Sequence, residues 1–151
     1  MNDFAPIEQL CRDLLLRVGA AERSKLMRAI GREIRKSQSD RIARQQEPDG
    51  AAFAPRRPKK VRAGKGRLRA QKMFRKIRMA KNLRSGGNGD EVWVGFGGQA
   101  SRVATIHQLG LPDAPAIGQS KVRYARRLIL GLSEDEQSRM IEFLLHRLTR
   151  E

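Results

Sequence analysis

The sequence predicts a small α+β domain, and three observations predict it. Apolar residues recur at helical three-and-four spacing near both ends of the chain. Between them, two apolar stretches flank a glycine-rich turn, Gly86-Gly87-Asn88-Gly89-Asp90. Ser133-Glu134-Asp135-Glu136 has the form of a helix capping box. The expected architecture is an N-terminal helix pair with a long second helix, a small antiparallel sheet built on a β-hairpin, and a C-terminal helix. An extended basic connector joins the pair to the sheet. At 151 residues the expectation is a single domain, 1–151, with a basic arm over 56–84.

Phe4, Ile7, Leu10, Cys11, Leu14, Leu15 and Val18 mark the first helix. Asn2 or Asp3 can cap its start, and Gly19 suits its left-handed stop. The second helix should run from about Ala21 to Gln45, roughly 36 Å. Its stripe is Leu26, Met27, Ile30 and Ile34. Beyond Arg35 the stripe thins, so the second half is expected to project into solvent or against a partner. Pro48-Asp49-Gly50 is turn chemistry. Pro55 and Pro58 make Ala51 to Pro58 extended. Lys59 to Arg67 reads as a loop, and Leu68 to Lys76 as a short helix around Met73 and Phe74. Ile77, Met79, Lys81 and Leu83 alternate with polar neighbours and predict the first hairpin strand, with Val92 to Phe96 as the second. Ala100 to Leu109 reads as a helix stopped by Gly110, Leu111 to Gln119 as a loop, and Val122 to Leu130 as a strand or extended segment. The last helix starts at Ser133 and buries Met140, Ile141, Leu144, Leu145 and Leu148.

Charge is unevenly placed. Residues 50–89 hold fourteen Lys and Arg and no Asp or Glu, whereas the rest of the chain holds eighteen basic and sixteen acidic residues. A block of this kind needs a polyanion, an acidic partner surface or open solvent. Arg56, Arg57, Lys59, Lys60, Arg62, Lys65, Arg67, Arg69, Lys72, Arg75, Lys76 and Arg78 are therefore candidates for contact with DNA phosphates or with a neighbouring subunit. Only Phe74 interleaves with them, so base stacking on an aromatic platform is not indicated.

Enzyme chemistry finds little footing. The single cysteine, Cys11, sits in an apolar helical pattern, which argues against disulfide frameworks and thiolate metal sites and fits a reducing compartment. His107 and His146 have no acid or nucleophile at a catalytic spacing, and no metal-ligand pair stands out. Gly95-Phe96-Gly97-Gly98 and Gly64-Lys65-Gly66 do not match a phosphate-loop pattern. No catalytic residue, cofactor or metal is expected. No stretch reaches the ~20 apolar residues of a membrane span, and Met1-Asn2-Asp3 does not begin like a signal peptide.

Several short motifs occur in a specific order. They are Gln45-Gln46-Glu47-Pro48-Asp49-Gly50, Phe53-Ala54-Pro55-Arg56, Lys72-Met73-Phe74-Arg75-Lys76, Gly95-Phe96-Gly97-Gly98, His107-Gln108-Leu109-Gly110 and Tyr124 to Gly131. In this set the chain resembles the phage virion morphogenesis family, the tail completion proteins of temperate contractile-tailed phages. The family's segment after Tyr124 usually carries prolines, where this chain has Ala125 and Leu128. The resemblance implies a structural protein of the neck that completes the head-proximal end of the tail and enables head–tail joining, as a ring, most simply a hexamer. It implies as partners further copies of the chain, tail tube or tail terminator proteins, head-connector proteins and the end of packaged double-stranded DNA, with no membrane. The location implied is the virion, after assembly in the bacterial cytoplasm. Pro48, Asp49, Gly50, Met73, Phe74, Gly95, His107, Gln108, Gly110, Tyr124 and Gly131 would be its structural motif residues. The alternative is a small basic protein binding nucleic acid without sequence preference. A nuclease would need clustered carboxylates for metal ions, and the basic block has none.

Overall fold

A computed structural model describes residues 8–9, 12–13, 16–57 and 72–150. The fold is α+β, as the sequence predicts. Helix α1 spans Ala20–Ala43, α2 Gly98–Leu109 and α3 Glu134–Leu148. Strands β1 (Leu83–Gly87) and β2 (Val92–Phe96) form a hairpin, and β3 (Pro112–Asp113) pairs antiparallel with β4 (Val122–Arg123). In that second pair Pro112 stands opposite Arg123, and Asp113 opposite Val122. Residues 8–9 and 12–13 are helical, and residues 10–11 and 14–15 lie outside the described residues. The expectation that the helix runs to Val18 and stops on a left-handed Gly19 is corrected: residues 16–18 form turns and a bend, and Gly19 has no positive φ.

The chain packs as two compact units. One comprises Met1–Arg35, Ser85–Val94 and Glu134–Glu151. Its core gathers Leu26, Met27 and Ile30 of α1 with Leu144 of α3, and Ile34, Val92, Met140, Phe143 and Leu148 pack against them. The stripe read for α1 is thus the buried one, whereas of the face read for α3 Met140, Leu144 and Leu148 join the cluster and Ile141 and Leu145 do not. Phe143 packs on the cluster, whereas Leu145 is 37% exposed. The hairpin tip is tied by Asn88, whose backbone N–H donates to the Glu91 carbonyl at 3.0 Å. Its side-chain oxygen accepts from the backbone N–H groups of Asp90 and Glu91.

The other unit comprises Lys36–Arg84 and Gly95–Ser133. Its buried apolar residues include Ile42, Phe53, Ile77, Leu83, Ala104 and Ile129. The second half of α1 corrects the expectation that it projects outward: Gln38, Arg41 and Ile42 are all buried. Polar residues can be buried when their donors and acceptors find partners, and here Arg41 and the Gln38 Oε1 find them in the bonds described below, whereas Gln38 Nε2 has no hydrogen-bond partner among the described residues. The turn after α1 forms as expected. Glu47 donates its backbone N–H to the Ala51 carbonyl at 2.8 Å, and the Ala51 N–H donates to Asp49 Oδ1 at 2.9 Å.

Two expectations around Phe74 are corrected. Residues 73–82 form successive turns rather than the end of a helix followed by a strand, and β1 begins only at Leu83. Phe74 has φ 65°, a left-handed backbone that continues neither helix nor strand. Ile77 is buried whereas Met79 is half-exposed, so the alternation seen in the sequence is not the face of a sheet. Of Val122 to Leu130, expected as a strand or an extended segment, only Val122 and Arg123 pair as a strand, and residues 124–130 carry no regular structure.

Helix α2 ends as its sequence says. Gly110 takes φ 65° and ψ 45°. Its N–H donates to the His107 carbonyl at 3.4 Å, and the Leu111 N–H donates to the Ile106 carbonyl at 2.9 Å. These two bonds form a Schellman motif, in which glycine takes the left-handed position without a Cβ penalty.

Candidate basic groove and its wall

The irregular segment after β4 is held by side chains instead of a strand ladder. Gln108 of α2 accepts the backbone N–H groups of Ile129 (2.8 Å) and Leu130 (3.1 Å) on Oε1, and donates from Nε2 to the Leu130 carbonyl at 3.0 Å. Gln38 Oε1 accepts the Gly131 N–H at 3.1 Å and also a donor of Arg41. Arg41 donates in turn to the Gly131 carbonyl at 2.8 Å. Glu47 accepts the Leu128 N–H at 3.2 Å. A Cβ on Gly131 would lie 2.7 Å from Pro48 Cγ, so the turn and this segment approach more closely than a side chain permits.

Arg127 completes the arrangement. It is buried, and its guanidinium donates to the carbonyls of Ala54 (2.7 Å) and Pro55 (2.8 Å). The fixed fork of guanidinium donors suits several carbonyls at once, which an ammonium group would serve less well. Its backbone N–H donates to the His107 carbonyl at 2.8 Å, and its Nη1 lies 3.0 Å from His107 Nδ1. The guanidinium can only donate, so Nδ1 accepts and the neutral imidazole carries its proton on Nε2. Burial lowers the His107 pKa to about 4, with Arg127 and then Arg56 adding to the effect.

His107 is also a link in an aromatic run. Phe53 meets Phe74 edge to face at 5.5 Å between centroids, Phe74 meets His107 at 4.9 Å, and His107 meets Tyr124 at 4.9 Å. Gln45 fixes Phe74's neighbour: its side-chain oxygen accepts the Met73 N–H at 2.7 Å and its amide donates to the Met73 carbonyl at 2.9 Å. Five of the family-motif residues named from the sequence, Met73, Phe74, His107, Gln108 and Tyr124, thus contribute to one continuous arrangement. Gly131 and Pro48 meet beside it. Gly95 stands apart in β2, where a Cβ would meet nothing within 4 Å.

This arrangement floors an open groove of ≈ 1250 Å³. Arg56, Arg57, Lys72, Arg75, Lys76 and Arg78 line it, and among the described residues no carboxylate does. Where their hydrogen bonds are resolved, these cations meet neutral oxygens: Arg57 donates to the Arg123 carbonyl (2.8 Å), Lys72 to the Ala43 carbonyl (3.2 Å) and Arg78 to the Ser39 hydroxyl (3.3 Å). The floor is apolar, from Met73, Phe74, Ile77, Met79, Val103 and Val122. Half of the candidate contact residues are therefore brought together. The other six, Lys59, Lys60, Arg62, Lys65, Arg67 and Arg69, lie outside the described residues. Sequence reading missed Gln38, Arg41, Gln45 and Arg127. The available signal was polar residues at positions 38 and 41, where the apolar stripe of α1 would otherwise continue from Ile34 to Ile42. Among the described residues no three His, Cys, Asp or Glu could hold a metal ion together, and no helix is long and apolar enough to cross a membrane.

The fold and groove are those of a small basic α+β protein with an open, cation-lined groove. The chain belongs to the phage virion morphogenesis family, whose model matches residues 2–149. It is similar to tail completion protein S of Escherichia phage P2, with 29% identity over 151 residues, covering 99% of this chain and 100% of that protein. No solved structure matches it.

Proposed function

We propose that this chain is a structural protein of the phage neck that completes the head-proximal end of the tail and enables it to join a filled head. The observation that carries this reading is its likeness, end to end, to a tail completion protein. The reading includes assembly as a ring, most simply a hexamer matching the tail tube, with tail tube or terminator proteins on one side and head-connector proteins on the other. It assigns no enzymatic step and no cofactor. The basic residues either face the phosphates of the DNA end or clasp the neighbouring subunit, since both uses neutralise a block that has no internal carboxylates.

Deleting the gene from its prophage and imaging the lysate by negative-stain electron microscopy tests the role. Full heads beside unjoined or irregular tails are expected, and normal joined particles would overturn it. Neutralising Arg67, Arg69, Lys72 and Arg75 separates the two uses of the basic residues. Rings that assemble but lose DNA favour phosphate contact, and rings that fail to form favour the clasp.

A further inference from the structure

We infer that the groove bounded by Arg56, Arg57, Lys72, Arg75 and Arg78 is a docking site for a carboxylate-rich peptide segment of a different protein, seated by an apolar side chain on the floor formed by Met79 and Val103. The inference rests on the neck reading and gives the cations of this groove a third use, in place of the DNA end or a neighbouring copy.

Charge complementarity selects an anionic occupant. Among the described residues, the cations that line the groove share it with no carboxylate. Like charges held this close repel, and an occupant that brings carboxylates relieves that repulsion and gains charge-assisted hydrogen bonds. The floor selects among anions. Met79 is 50% exposed and Val103 38%, and they line the same groove as the cations. Nucleic-acid backbone gains nothing from such a floor. Stacked bases would want exposed aromatic faces, whereas Phe74, His107 and Tyr124 are half-buried and packed edge to face in a run. A peptide with acidic residues around an apolar anchor uses both features at once. A second copy of this chain is a poor match in charge. Outside the basic block it has eighteen basic residues against sixteen acidic, and so no excess of carboxylates to offer.

The test uses the full-length protein expressed from its own prophage, with Val103 replaced by the photo-cross-linking amino acid p-benzoylphenylalanine. After irradiation, mass spectrometry of the cross-linked peptides is expected to find an acidic segment of another virion protein. Cross-links to DNA, to a second copy of this chain, to its own residues 58–71, or none at all, each overturn the inference. A second arm uses purified protein and two fluorescent synthetic peptides, one alternating Glu with Leu and one alternating Glu with Ser. The Glu–Leu peptide should bind at least about tenfold tighter, a difference of about 1.4 kcal/mol. The exposed-site double variant Met79→Ser, Val103→Ser should abolish that preference while leaving the melting temperature in place. Equal binding of the two peptides overturns the inference. Because neither arm reads particle morphology, a failed docking site and a failed neck assignment give different results: unjoined tails on deletion with no acidic cross-link reject only the docking site.

Discussion

The guanidinium of Arg127 reaches to 3.0 Å from His107 Nδ1, so a buried cation adds to the effect of burial in holding that ring in its neutral form. Protonating that ring would set two positive groups against each other in a partly desolvated place. Its folded pKa, about 4, lies below the ordinary 6.5. Between those values the unfolded chain binds a proton that the folded chain refuses, so this residue's contribution to stability is full above pH 6.5 and is lost as pH falls toward 4. Denaturant melts across that window should show stability falling with pH, and the slope should flatten in His107→Gln.

Gln108→Leu should destabilise the protein by about 1–3 kcal/mol, because it strips two partly buried backbone N–H groups of their acceptor and one carbonyl of its donor. Urea denaturation measures the loss. Gln108→Glu keeps the acceptors and should cost less.

Gly131→Ala should cost about 1–3 kcal/mol by overpacking, since the new methyl meets the Pro48 ring at 2.7 Å. Adding Pro48→Ala should recover part of that loss in a double-mutant cycle. Strict additivity of the two would show that the close approach is not the cause.

Phe74→Leu should cost about 1–3 kcal/mol, because it removes both edge-to-face ring pairings while the residue stays at φ 65°. Phe74→Tyr retains the ring edges and should melt near the parent temperature.

What could be read in the sequence follows the range of the interactions. The stop of α2 at Gly110, the hairpin turn around Asn88 and the start of α3 beside Ser133 are local, set by residues within a few positions of each other. The stripe Leu26, Met27 and Ile30 was legible for the same reason. The burial of Gln38 and Arg41 was not, because their partner Gly131 lies some ninety positions away. Nor was the turn run over residues 73–82, whose alternating pattern imitates a strand while Gln45 holds Met73 in a different backbone. The basic block announced the composition of the groove. That Phe74, His107 and Tyr124 would supply its interior depended on three elements meeting.

The segment from Leu128 to Gly131 has a consequence for the order in which the chain folds. Its backbone bonds end on Gln38, Glu47 and Gln108, residues 21 to 93 positions earlier. The bonds to Gln108 need only α2, but those to Glu47 and Gln38 need the turn after α1 and α1 itself, 81 and 93 positions back, to be brought to this segment. Pairings of such long separation carry the largest loop-closure cost and add little to a folding nucleus. The segment should therefore dock last, and substitutions within it should speed unfolding while leaving the folding rate nearly untouched.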